Sequence, residues 1–160
     1  MGKEVTAEQF ADFLNTRKPE VYQQLGKYVK LISTKITSDI KYNMAHTQLD
    51  MSKSYYTNNK TKAHHPSMPG QPPAVDTGNL RNSIRYEIVE GEKDLSAIIG
   101  STQKDPPYGT YLEYGTSSGG WGGKGMPPRP WLRPAMRNNL EFIKKNLAIA
   151  IKRTLGGGGE

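Results

Sequence analysis

Between Pro19 and Met51 the apolar residues Val21, Leu25, Tyr28, Val29, Ile32, Ile36 and Ile40 recur at short, helix-like intervals. With 3.6 residues per turn, that spacing gathers them on one face of an α-helix. Lys27, Lys30, Lys35 and Lys41 fall between them. The sequence therefore predicts a long amphipathic helix over 19–51 whose apolar stripe packs into a core. Pro19 suits the first turn of that helix, where no partner exists for the amide hydrogen that proline lacks. Upstream, Thr6 to Leu14 reads as a separate short helix. Thr6 can cap it, Gln9 completes a capping box, and Phe10, Phe13 and Leu14 share a face.

A second helix is expected over 135–155, with Leu140, Ile143, Leu147, Ile151 and Leu155 on its apolar face. Gly156 is its stop signal, and Lys152 and Arg153 suit the negative end of the helix dipole. The region 76–134 between the helices reads as sheet. Asp76-Thr77-Gly78-Asn79-Leu80 is a capped turn leading into a short helical piece. Ile84, Tyr86 and Ile88 alternate with Arg85 and Glu87 as in a half-buried strand, and Leu95 to Ile99 forms its hairpin partner across a turn at Gly91. Tyr108 to Thr116 fits either a strand or an irregular piece. Ser117 to Pro128 is a Gly-rich loop around Trp121. Prolines at 127, 128, 130 and 134 stiffen the path through Arg129, Trp131, Leu132 and Arg133. The fold class is α+β: a small antiparallel sheet packed against a long helix in the N-terminal half and a C-terminal helix, with long loops. One domain covers 1–155, and 156–160 is a flexible Gly tail.

Only 34% of the residues are hydrophobic, where a globular chain usually carries nearer half. Part of the chain should therefore order outside the monomer core. The stretch 52–75 is the natural candidate. It holds Lys53, Lys60 and Lys62, Tyr55 and Tyr56, four prolines and no acidic residue until Asp76. It reads as a Pro-rich mobile loop that orders on a neighbour after assembly.

Other chemistry is hinted at and does not hold together. Asp76-Thr77-Gly78 spells the aspartic-protease tripeptide, but that reaction needs two facing carboxylates and the chain has one copy. His46, His64 and His65 lack the fixed spacing of a metal site. The glycines of 115–125 lack the lysine and flanking elements of a phosphate loop. With no cysteine, disulfides, thiolate ligands and a Cys nucleophile are excluded. No catalytic residue, cofactor or metal is expected. Met1 to Phe13 lacks the apolar core of a secretory signal, and no run is long enough for a membrane span, so synthesis in a reducing cytoplasm is expected. A net charge of +7 favours acidic or nucleic-acid partners. The basic residues are spread along the chain, so non-specific DNA contact fits better than sequence reading.

Three ordered segments carry a resemblance. They are Pro69-Gly70-Gln71-Pro72-Pro73 running into Thr77-Gly78-Asn79-Leu80-Arg81-Asn82-Ser83-Ile84, then Tyr108-Gly109-Thr110-Tyr111-Leu112-Glu113-Tyr114-Gly115-Thr116, then Met126-Pro127-Pro128-Arg129-Pro130-Trp131-Leu132-Arg133-Pro134-Ala135. In this order and spacing, over about Pro69 to Leu155, the chain resembles the neck proteins of long-tailed bacteriophages, called tail completion, head–tail joining or minor tail proteins. The resemblance implies a non-enzymatic virion subunit of a ring, often six-fold. Such a ring sits between the head connector and the tail tube or terminator and keeps the DNA channel continuous. Thr77, Gly78, Leu80, Tyr111, Glu113, Tyr114, Gly115, Thr116, Arg129, Trp131, Leu132 and Arg133 are its motif and interface candidates. Glu113 is expected to pair with Arg129 or Arg133.

Overall fold

A computed structural model of the chain describes residues 7–56, 63–91, 94–102, 108–118, 123 and 125–155. The first element, α1, is a helix over Ala7–Ala45. Its buried face carries Ile32, Ile36 and Ile40 of the stripe that the sequence periodicity predicts, and continues one turn further to Met44. Pro19 lies inside this helix, so the two helices expected around Lys18-Pro19 are one. A proline costs a helix one hydrogen bond and crowds the carbonyl four residues back. Its fixed φ is nevertheless helical, and bonds in the long flanking turns carry the helix across. The Thr16 hydroxyl donates to the Asp12 carbonyl at 2.8 Å just before it.

The helix also ends at Ala45 rather than near Met51. The residues that would have continued it pair elsewhere. The Thr47 hydroxyl donates to the Pro72 carbonyl at 2.7 Å. The Asp50 N–H donates to Pro66 at 2.7 Å, and the Met68 N–H to Gln48 at 2.9 Å. The stretch 52–75, read as one mobile loop, is therefore anchored in its described parts. Tyr55–Tyr56 (β1) and Ala63–His64 (β2) pair as a short antiparallel ladder. Pro66 and Ser67 are buried. Lys60 and Lys62 lie outside the described residues, as do Thr6, Trp121 and the Gly tail.

A five-residue helix α2 (Asn79–Ser83) leads directly into β3 (Ile84–Glu90). It pairs antiparallel with β4 (Leu95–Ser101), from Ile84↔Ser101 to Glu90↔Leu95. One face of this hairpin covers α1: Ile84 is fully buried, Ile99 packs on the core, and the Thr34 hydroxyl meets the Tyr86 hydroxyl at 3.2 Å. The opposite face presents Arg85, Glu87, Val89 and Ile98 to solvent.

The aromatic stretch forms neither a strand nor an irregular piece but a helix, α3 (Tyr108–Tyr114). Tyrosine's preference for strands hides the period. Gly109, Leu112 and Glu113 are buried, while Tyr108, Tyr111 and Tyr114 are exposed at three-residue steps. The C-terminal helix is divided into α4 (Arg133–Asn138) and α5 (Leu140–Leu155). Asn139 stands between them: its backbone N–H is shared between the Ala135 and Met136 carbonyls, both at 3.2 Å, while its side-chain Nδ2 donates to the Ala135 carbonyl and to Asp39 of α1, both at 2.9 Å. Phe142, Ile143 and Leu147 of α5 pack against the core. The result is an α+β fold, with α1 covered by the hairpin and by α5. Among the described residues no helix is long and apolar enough to cross a membrane.

Candidate functional site

Helix α3 places Glu113 on its buried side, 3% exposed. Its carboxylate Oε2 accepts the backbone N–H groups of Trp131 at 2.6 Å and Leu132 at 2.9 Å. Oε1 accepts the Arg133 N–H at 3.0 Å and the Arg133 Nε–H at 2.9 Å. The Arg133 Nη2 closes the set by donating to the Glu113 carbonyl at 3.0 Å. The Leu132 and Arg133 amides belong to the start of α4, where helix N–H groups have no partner of their own, and the Trp131 amide lies just before it. Leu132, at the N-cap, supplies no side-chain bond there. Glu113 thus caps α4 from another part of the chain. Burial works to raise its pKa, but the N–H donors and the Arg133 guanidinium outweigh burial and hold the carboxyl below the ordinary glutamate range.

Trp131 is fixed from the other side. Its Nε1–H donates to the Gly109 carbonyl at 2.9 Å. A Cβ on Gly109 would stand 3.2 Å from Leu80 Cδ1 and 3.3 Å from Trp131 Cζ2. Leu80, Leu112 and Trp131 share one buried cluster. One residue from each of the three family-like segments therefore meets in the core. The turns between them are equally determined. Gly115 closes α3 at φ +74°, with a hypothetical Cβ only 2.6 Å from the Met126 carbonyl. Thr116 and Met126 exchange backbone bonds, and the Thr116 hydroxyl also accepts the Met126 N–H at 3.0 Å. Gly78 precedes α2 at φ +82°, and the Thr77 hydroxyl accepts the Asn79 N–H at 3.3 Å.

Of the two partners expected for Glu113, the structure selects Arg133. Arg129 instead turns to the 63–67 segment, where its Nε–H donates to the Ser67 carbonyl at 3.2 Å. Leu132 is half-buried against the core. Tyr111 is 44% and Tyr114 65% exposed, and the Arg133 guanidinium lies over the Tyr114 ring, 4.7 Å from its centre. Lys53 reaches the Asp50 carboxylate at 3.4 Å. Tyr55 and Tyr56 contribute backbone to β1.

Sequence reasoning missed two polar anchors. Asp50 accepts both the N–H and the hydroxyl of Ser52, an Asx-turn that the Asp-x-Ser spacing could have signalled. Asp39 joins Lys35 to Asn139, a link between residues 100 positions apart. Burial raises the Asp39 pKa, but the Lys35 and Asn139 hydrogen bonds and the Lys35 charge bring it below the ordinary value.

The three histidines part company. His46 stacks on Tyr42 at 4.0 Å, and the His65 ring nitrogen Nδ1 lies 2.8 Å from the Lys53 carbonyl. His64 Nδ1 lies 3.9 Å from the half-exposed Asp76 carboxylate. Among the described residues no group of three His, Cys, Asp or Glu is placed to hold a metal. No family model, curated protein or solved structure matches the chain.

Proposed function

We propose that this chain is a non-enzymatic structural subunit of a long-tailed phage neck. It forms a ring that joins the tail to the head connector and keeps the DNA channel continuous. The reading rests on one observation: the three segments that resemble neck proteins interlock around Glu113 and Trp131 and hold Tyr111, Tyr114 and Arg133 at the surface. Aromatic residues and arginine on a rigid support suit a protein interface, because little side-chain entropy is lost on contact. The small core fits as well. Ten apolar side chains are buried among the described residues, leaving apolar surface for neighbours. A net charge of +7 suits a channel wall facing DNA phosphates.

The direct test is joining in vitro. Tailless heads and free tails of the cognate phage, both lacking this protein, are mixed with the purified chain, and infectious particles are counted. Joining supports the reading. No joining, together with steeply salt-dependent binding of the free monomer to DNA, replaces it with a nucleic-acid-binding accessory role.

A further inference from the structure

Beside the Glu113 hub, two adjoining hollows of about 340 and 690 Å³ share His64, Pro73, Ala74, Tyr108 and Leu112 in their walls. The larger is lined by the apolar Pro66, Leu112 and Met126 together with His64, Arg129 and Lys53, the last also reaching the Asp50 carboxylate at 3.4 Å. The smaller adds Arg81 and one carboxylate, Asp76. Arg129 is held through Nε by the Ser67 carbonyl. No carboxylate of the described residues lies within ion-pair distance of it. The Ser67 hydroxyl, in a residue 1% exposed on the wall of the same hollow, has no hydrogen-bond partner among the described residues. Burial pushes the Tyr108 phenol pKa up, with Arg129 opposing and Asp76 adding to the rise. The cleft is thus a cationic, donor-rich hollow with an apolar lining, suited to a carboxylate beside an apolar side chain.

The same fold carries that chemistry at its other end. Glu87, Val89 at 41% and Ile98 at 60% exposure lie on the outer face of the β3–β4 hairpin, and the exposed Glu90 and Asp94 lie at its far end, Glu90 on the α1-facing side where it shares a hollow with Lys27 and Lys30. Strand β3 starts at Ile84 in the core beside Leu80 and runs away from it, so Glu90 lies roughly 20 Å farther on. The geometry points to a head-to-tail contact in which the acidic end of one copy's hairpin seats in the Arg129 cleft of the next copy. The inference rests on the ring reading and names the contact that builds the ring. Such a contact joins unlike surfaces, so it repeats from copy to copy until rotation closes it. A DNA backbone would satisfy the cations but offers no apolar group to that lining.

Three charge variants test it: E90K/D94K, R129E, and the combination. Self-association is followed by sedimentation velocity and mass photometry at low salt. Each reversal should weaken association about tenfold or more, and the combination should recover most of the loss. Because the chain has no cysteine, E90C in one copy and K53C in another supply an independent readout. Mild oxidation should link that pair between copies, in solution or on isolated tails, and should not link E90C to S38C on α1. Wild-type association in the reversal variants, no recovery in the combination, or no E90C–K53C link overturns the contact. Loss of DNA binding in R129E with association intact assigns the cleft to a phosphate backbone instead. If wild-type protein neither self-associates nor binds heads or tails, the neck reading itself falls. If it does either and the charge variants and the E90C–K53C pair fail, only this contact falls.

Discussion

Glu113 and Trp131 stand 18 residues apart in the chain and meet at 2.6 Å, the carboxylate taking the tryptophan's backbone N–H. One buried side chain thereby ties α3 to the start of α4 and sets the path of Arg133. The same carboxylate satisfies three amides and a guanidinium. It should therefore be the most sensitive polar position described. Glu113→Gln keeps the shape but replaces one acceptor by a donor, leaving buried N–H groups unpaired. The expected cost is about 2–4 kcal/mol in urea unfolding. A loss below about 0.5 kcal/mol would show that the network adds little.

The same group sets an acid sensitivity. Its folded pKa is lowered, so its contribution is present above the unfolded glutamate value, about 4.3, and is lost as pH falls through the lower folded value. Asp39 shifts the same way. Stability should therefore drop as pH falls from about 4.3. The gap between wild type and Glu113→Gln should be constant near neutrality and should narrow in acid. Thermal unfolding of both proteins across pH 3–7 reads this directly, and a gap independent of pH contradicts it.

Two glycines should respond differently to alanine. Both Gly78 and Gly115 have positive φ, but a Cβ at Gly78 meets nothing nearer than 3.5 Å, whereas at Gly115 it meets the Met126 carbonyl at 2.6 Å. Gly78→Ala should cost about 1–2 kcal/mol, the left-handed backbone penalty alone. Gly115→Ala should cost more, because backbone must move as well. Chemical denaturation of the pair decides, and equal losses would mean that the 126 segment yields freely.

The long helix and the hairpin were legible because each is a local period in the sequence; of the apolar face expected on the C-terminal helix, Ile143 and Leu147 pack on the core while Leu140 and Ile151 are exposed. What was not legible depended on distant partners. Pro19 suggested a boundary because its local cost is real, but flanking turns override it. The tyrosines of α3 resemble a strand by composition and declare a helix only through the buried Gly109, Leu112 and Glu113. Asn139, where the last helix divides, bonds Asp39, a residue of α1 that no local pattern associates with it. Glu113 and the Trp131 segment were singled out together, yet the choice of Arg133 over Arg129 required the fold, since Arg129 is committed to Ser67.

Surface tyrosines should separate assembly from folding. Tyr111 and Tyr114 are exposed, so changing both to Ala should alter stability by less than about 1 kcal/mol. Head–tail joining should fall about tenfold or more if they are interface anchors. Circular dichroism melts and the joining assay, run on the same preparation, check both halves. Normal joining would move the interface elsewhere.

The central claim is tested most directly by electron microscopy, with mass measurement, of the purified protein incubated with tailless heads and with free tails. The neck account predicts rings, or added density at the portal of the heads or the end of the tails. A monomer that binds neither particle while binding free DNA would contradict it.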